Sequence, residues 1–430
     1  MKKFFLLTAA VAGVATMANA AEYFPGSTKA FKDGYTLEQI WGAVPDGIAY
    51  PAVRTGIGVN DKFYLMDHAA GNVKVYDKSG FVKDINFGGK LWVSCTVDQA
   101  GNVIARADKG GWAGPEGAGW YLTENAGFGV IDSKTDEIIN KFIAMPGAAK
   151  SRFDALSPVL GNILTSEFTA LYAPTQGAGN RFEEFGYSMG EWVATSSTIM
   201  TLNPLFDNGA AKYNQTLGTV QAFSSEDLAV YGNPHIDVTS SAKGLGNGIA
   251  HYKYVITDKG EGWKDTGEFF VTPQHAAMGG FYVFDLAGKQ YIVYPAGGDG
   301  LPAGDAFAIS EVKYTDSPAS TEADEEALIA RKFAAVMENG AAQYTAKAYY
   351  MSFNVVPVEN ENAVMIYAYN AGCPMSVHKF SVSESAVNEI EIENANAPVE
   401  YYNMQGIRVA NPENGLFIKR QGAKAEKVVL

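Results

Sequence analysis

Cysteine is almost missing from this 430-residue chain, which holds only Cys95 and Cys373. That excludes a small scaffold stapled by disulfides, because such scaffolds pack many cysteines into a short chain. An oxidising compartment could join the two only if distant parts of the chain meet; two buried thiols fit the apolar runs around them equally well. Histidine is scarce too. The five are His68, His235, His251, His275 and His378, all singletons. No H-x-H, H-E-x-x-H or C-x-x-C spacing occurs, nor a calcium loop of D-x-D-x-D type, so the sequence offers no dedicated metal site. The one route to a metal is convergence of His68, His251 and His275 at the centre of a closed fold. No cofactor motif is present.

Positive charge is in deficit: 33 Lys and Arg face 47 Asp and Glu, for a formal charge of −14. Nucleic acid phosphates and anionic lipid would repel such a chain, so neither is an expected partner. Past the N-terminus no apolar run approaches the roughly 20 residues that a transmembrane helix needs. Helical periodicity is rare as well. The best example is 320–337, which Ser320 or Thr321 can cap. Leu328, Ile329, Phe333 and Val336 give it an apolar face, and a helix is expected there.

Aromatic residues make up 12% of the chain, glycine supplies 46 positions, and apolar residues reach 47%. This composition suits a large all-β core with many tight turns. Short strand-like runs recur in units. One unit contains Gly56-Ile57-Gly58-Val59-Asn60-Asp61, then Gly71-Asn72-Val73, then Gly80-Phe81-Val82. Another begins Asp98-Gln99-Ala100-Gly101-Asn102-Val103 and closes with Val130-Ile131-Asp132. Later units centre on Leu160-Gly161-Asn162, on Tyr282-Val283-Phe284-Asp285, and on Phe353-Asn354-Val355 with Met365-Ile366-Tyr367. A repeat of three or four strands every 45 to 60 residues or so is the mark of a β-propeller, one unit per blade. Six blades fit best between residues 36 and 385, with five or seven as alternatives and tandem β-sandwiches as the competing fold. Leu37 to Trp41 are expected to form the outer strand that completes the last blade. With "D-x-x-G-N-V" before the second strand, the first two units resemble NHL-type or quinoprotein-like blades.

The two ends read as addresses. Lys2 and Lys3 precede an apolar stretch at 4–14, and Ala18-Asn19-Ala20 has the small residues a signal peptidase inspects. Residues 1–20 are expected to be a signal peptide, cut between Ala20 and Ala21. A propeller domain at 21–385 and an acidic linker at 386–397 would follow. Residues 398–430 read as three short strands, with a turn at Gly406 and a loop before Gly415. Tyr402, Gly406, Val409, Gly415, Ile418 and Val428 mark the pattern. In a shortened form, this tail resembles the C-terminal sorting domain of the type IX secretion system of Bacteroidetes. The resemblance implies export, contact with the secretion machinery, and residence outside the cell or on the outer-membrane surface, or in the periplasm if the tail is inactive.

Chemistry is harder to find. Gly186-Tyr187-Ser188-Met189-Gly190 matches G-x-S-x-G, a pattern that serves a nucleophile only on a strand-to-helix turn. Its charged approach and strand-like sequel argue for a loop serine. Residues 109–120 form a Gly-rich insertion, and Trp112, Trp120 and Tyr121 sit in or beside it. Exposed aromatics on a polar loop suit sugar rings or peptides; they could equally fold back as a plug. The expectation is a non-enzymatic exported propeller binding a glycan or peptide. The alternatives are a propeller hydrolase or lyase acting on polysaccharide, which needs convergent acids, and a structural protein of a surface assembly.

Overall fold

In the computed structural model, the described residues are 34–43, 53–67, 70–86, 90–108, 126–144, 157–164, 170–174, 181–188, 191–199, 217–224, 226–232, 248–258, 260–271, 281–298, 301–314, 328–332, 352–369, 375–383, 398–403, 408–410, 412–413, 415–421 and 424–429. Every regular element among them is a strand. β1 (Tyr35–Ala43) comes first. The first blade is β2 (Val53–Val59), β3 (Lys62–Asp67), β4 (Asn72–Asp77) and β5 (Gly80–Asn86). The second is β6 (Lys90–Val97), β7 (Val103–Asp108), β8 (Ala126–Asp132) and β9 (Glu137–Ala144). The third contains β10 (Ala170–Pro174), β11 (Arg181–Ser188) and β12 (Glu191–Ile199). The fourth is β13 (Leu217–Ser224), β14 (Asp227–Gly232), β15 (Gly248–Thr257) and β16 (Gly260–Val271). The fifth is β17 (Tyr282–Leu286), β18 (Lys289–Gly298), β19 (Leu301–Glu311) and β20 (Leu328–Lys332). The sixth is β21 (Ser352–Pro357), β22 (Ala363–Tyr369) and β23 (Met375–Val382).

Each blade is an antiparallel meander, and the sixth is completed by β1, which pairs with β23 from Tyr35↔Val382 to Ala43↔Met375. The first strand of each blade lies innermost: β2 sits beside β6 and β21, and β21 beside β17. In the third blade the stretch 157–160 takes that place, with a parallel bridge from Val159 to Asp98 and a Val159 N–H bond to the Val97 carbonyl at 2.9 Å. Six blades thus close a ring, which sets aside the tandem sandwiches. One expectation is corrected. The helix expected over 320–337 is a strand at Leu328–Lys332, with Ile329 opposite Ala308 and Leu328 opposite Ile309. The edge of β19 offers backbone partners, and tertiary pairing overrides a helical pattern. The rest of that segment lies outside the described residues.

Among the described residues the core is a set of seams between blades. Phe63, Tyr64, Leu65 and Met66 of β3 are consecutive and all buried. Tyr64 and Met66 pack toward the second blade, Phe63 and Leu65 toward the sixth. Between the sixth and first blades the approach is close enough to demand glycine: a Cβ on Gly58 would lie 2.5 Å from the Tyr367 Cβ. Asn354 Nδ2 donates to the Gly58 carbonyl there at 2.8 Å. Between the fourth and fifth, the buried Gln221 amide exchanges two 2.7 Å hydrogen bonds with the backbone of Val283. Between the fifth and sixth, Phe380 packs with Tyr35, Phe284 and Tyr291.

Turn chemistry explains why the meanders bend where they do. Asn60 and Asp61 both take positive φ (51° and 58°), as a two-residue type I′ hairpin requires. The D-x-x-G-N motif is structural. Asp98 Oδ1 accepts from the amides of Ala100 (3.0 Å) and Asn102 (2.8 Å), and Oδ2 from Asn102 Nδ2 (2.8 Å) and the Ile163 amide (2.9 Å). A buried carboxylate with four donors thus ties the turn of the second blade to the third.

A seventh sheet follows the ring: β24 (Val399–Tyr402), β25 (Arg408–Val409), β26 (Leu416–Gln421) and β27 (Lys424–Val429), in the order β25-β24-β26-β27. It has four strands where the sequence suggested three; the extra one is the two-residue β25. None of its described side chains is buried. Residues 386–397 lie outside the described set.

Candidate functional site

Following the strands outward separates the two faces of the ring. First-to-second and third-to-fourth strand turns fall on one face, and most are tight: Asn60–Asp61, residues 78–79, 225–226, 258–259 and 287–288. Second-to-third strand turns and the links between blades fall on the other. That face takes the long connections at 109–125, 145–156, 200–216, 233–247 and 333–351. Among the exceptions, 161–169 and 312–327 are longer connections on the tight-turn face, and 68–71, 87–89, 299–300 and 370–374 are short ones opposite. The 109–125 connection, with Trp112, Trp120 and Tyr121, leaves β7 and enters β8 at the long-connection face. These three residues lie outside the described set, as do Ala20, Ala21 and Gly406.

The tail residues do come together. Tyr402 of β24 stands opposite Ile418 of β26, Val409 of β25 opposite Tyr401, and Val428 of β27 opposite Phe417. Gly415 introduces β26. The Tyr402 hydroxyl donates to Glu400 Oε2 at 2.7 Å, and Arg408 pairs with Glu400 at 3.0 Å.

The G-x-S-x-G string has no nucleophile geometry. Ser188 ends β11 and pairs with Glu191 at the start of β12, so the string spans an antiparallel hairpin rather than a strand-to-helix turn. Of the three histidines considered for a central metal, His68 and His275 lie outside the described residues. His251 is on β15, the third strand from the axis, and so does not line the centre. Cys95 is buried on β6; Cys373 lies outside the described residues.

His251 nonetheless joins an ionisable cluster that links three strands of the fourth blade. Its Nε2 faces Asp227 Oδ1 of β14 in a very short contact, and its Nδ1 lies 2.9 Å from Glu268 Oε2 of β16. The β15/β16 register makes this happen. Ala250 pairs with Phe269 but Tyr252 pairs with Asp265, so β16 bulges around Gly267 (φ 81°) and swings Glu268 over the ring. Thr266 Oγ1 fastens the bulge to the His251 carbonyl at 3.0 Å. From the fifth blade, Tyr314 stacks on the imidazole with ring centroids 5.2 Å apart. Burial opposes charge on His251, but the hydrogen bonds to Asp227 and Glu268 outweigh it and hold the imidazole above its ordinary range. Burial, then the nearby Asp227, Glu268 and Asp285, push the Tyr314 phenol far up.

This constellation was invisible in the sequence, where Asp227, His251 and Glu268 are isolated letters. Its chemistry is closed on itself. As an imidazolium bonded to carboxylates at both nitrogens, the ring has no lone pair for a metal and no site to take a substrate proton. Among the described residues no group of three His, Cys, Asp or Glu is arranged to hold a metal ion, and no helix is long and apolar enough to cross a membrane.

No family model and no curated protein matches the chain. Solved structures do. A protein of unknown function from Dyadobacter fermentans is 9% identical, with 82% of this chain and 100% of that one covered, at a TM-score of 0.43. Virginiamycin B lyase from Staphylococcus aureus is 12% identical, covering 81% and 99%, at 0.37. Trypanosoma rangeli sialidase in complex with sialic acid is 9% identical, covering 93% and 69%, at 0.41. Likeness at this level transfers no chemistry to this chain.

Proposed function

We propose that this chain is an exported β-propeller that binds an extracellular glycan or peptide at its long-connection face. The observation that supports this most is the uneven distribution of connections: apart from 312–327, the longest ones fall on one face. Rigid scaffolds with long loops on one side are the usual platform for recognition. The 109–125 connection adds Trp112, Trp120 and Tyr121 on a Gly-rich, polar background, and flat aromatic faces stack on sugar rings and on peptide side chains. The His251 cluster has both ring nitrogens engaged by carboxylates, which favours binding over catalysis. Export rests on the signal-like residues 1–20 and on the sorting-like sheet at 398–430, whose partner would be the secretion machinery.

The test is a glycan and peptide array probed with residues 21–430, followed by product analysis of each hit. A ligand returned intact, and bound about tenfold or more weakly by Trp112→Ala or Trp120→Ala, is expected. A ligand returned cleaved would replace the binding reading with a propeller hydrolase or lyase. Binding unaffected by either substitution would move the site elsewhere on the ring.

A further inference from the structure

We propose that His251 is a proton-operated fastener on the flank of the fourth blade, holding β14, β15 and β16 together as an imidazolium and letting go of Glu268 as a neutral imidazole. The geometry carries this. Both ring nitrogens face carboxylate oxygens, and only the doubly protonated ring has two N–H groups to donate. When one proton leaves for solvent, one nitrogen keeps its hydrogen and the other turns a lone pair toward a carboxylate. One contact must then open.

Glu268 is the partner that leaves. Its side chain is 50% exposed against 34% for Asp227, so water receives it more readily. It is also borne by the bulge of β16, while Asp227 sits on the regular β14/β15 ladder opposite Lys253. The charged and titratable groups around the ring come from every packed element. Asp227 is on β14, Lys253 on β15, and Glu268 and Lys264 on β16. Tyr314 follows β19, with Asp285 of β17 acting on Tyr314. Lys253 and Lys264 are exposed. Tyr314 covers one face of the ring, and its hydroxyl is buried with no hydrogen-bond partner among the described residues. It cannot replace a lost carboxylate contact without moving.

The direction follows from the shift. Because the folded imidazole binds its proton more tightly than an ordinary histidine, the fastener is fully closed below a pH of about 6.5 and opens as pH rises through the higher folded value. The outer strand of the fourth blade is therefore tightest in mildly acidic surroundings and loosest in alkaline ones.

The experiment follows the histidine Cε1–H resonances of the full chain without residues 1–20 from pH 5 to pH 9, alongside amide exchange of β16 normalised to an unstructured peptide at each pH. His251→Gln assigns the resonance. If that variant does not fold, the resonance that moves in Glu268→Gln identifies it. The expected result is a midpoint above 6.5 that drops in Glu268→Gln. Normalised β16 exchange should rise about tenfold through the titration in the parent and stay level in Glu268→Gln. A parent midpoint at or below 6.5 would overturn the proposal, and so would β16 exchange that is flat through the titration.

Discussion

The sixth blade and the C-terminal sheet are both four-stranded and antiparallel, yet they are different objects. In the blade, Val364, Ile366, Ala368 and Tyr369 of β22 are all buried, and both faces are covered by neighbouring blades. In the C-terminal sheet no described side chain is buried, and Val429 is 77% exposed. The ladders are equivalent. What differs is what lies against their faces, and burial at roughly 25 cal/mol per Å² is what separates a sheet that holds a fold from one that is merely paired. Blade stability is a property of seams.

Three substitutions test that contrast. Phe380→Ala removes the ring on which Tyr35, Phe284 and Tyr291 converge, and should destabilise the propeller by about 3–5 kcal/mol in denaturant melts. A cost of about 1 kcal/mol would mean that the seam repacks freely. Asp98→Ala leaves four donors unmatched in the turn between the second and third blades; a loss of about 2–3 kcal/mol is expected. Because that loss is local, amide exchange should rise at 157–164 more than at the sixth blade. Leu416→Ser, on the exposed C-terminal sheet, should shift the midpoint by no more than about 0.5 kcal/mol. A larger effect would show that the sheet has a covered face, and the contrast with the blades would fail.

Local chemistry was legible from the residues. The Gly, Asn and Asp turn residues mark where the strands reverse, and the repeats set out six blades with Leu37 to Trp41 closing the last. Three things were not legible, for physical reasons. β20 carries a helix-like apolar pattern, and only the waiting edge of β19 makes it a strand. β25 is two residues long, too short to show any period. The His251 cluster draws one residue from each of three strands and depends on a bulge. Because a slip of register turns a side chain to the other face, pairing rather than spelling decides who meets.

The pairing of β1 with β23 bears on how the molecule comes apart. Tyr35 and Val382 sit at opposite ends of the ring's chain, yet they are neighbours in one sheet. During synthesis β1 must wait for almost the whole ring to be made before it finds its place, so closure is a late and slow event. Once it has happened, no blade of the ring is terminal. Unravelling must begin by prising open a seam, and the rate of that opening, more than the depth of the free-energy well, sets how long the closed ring lasts among proteases.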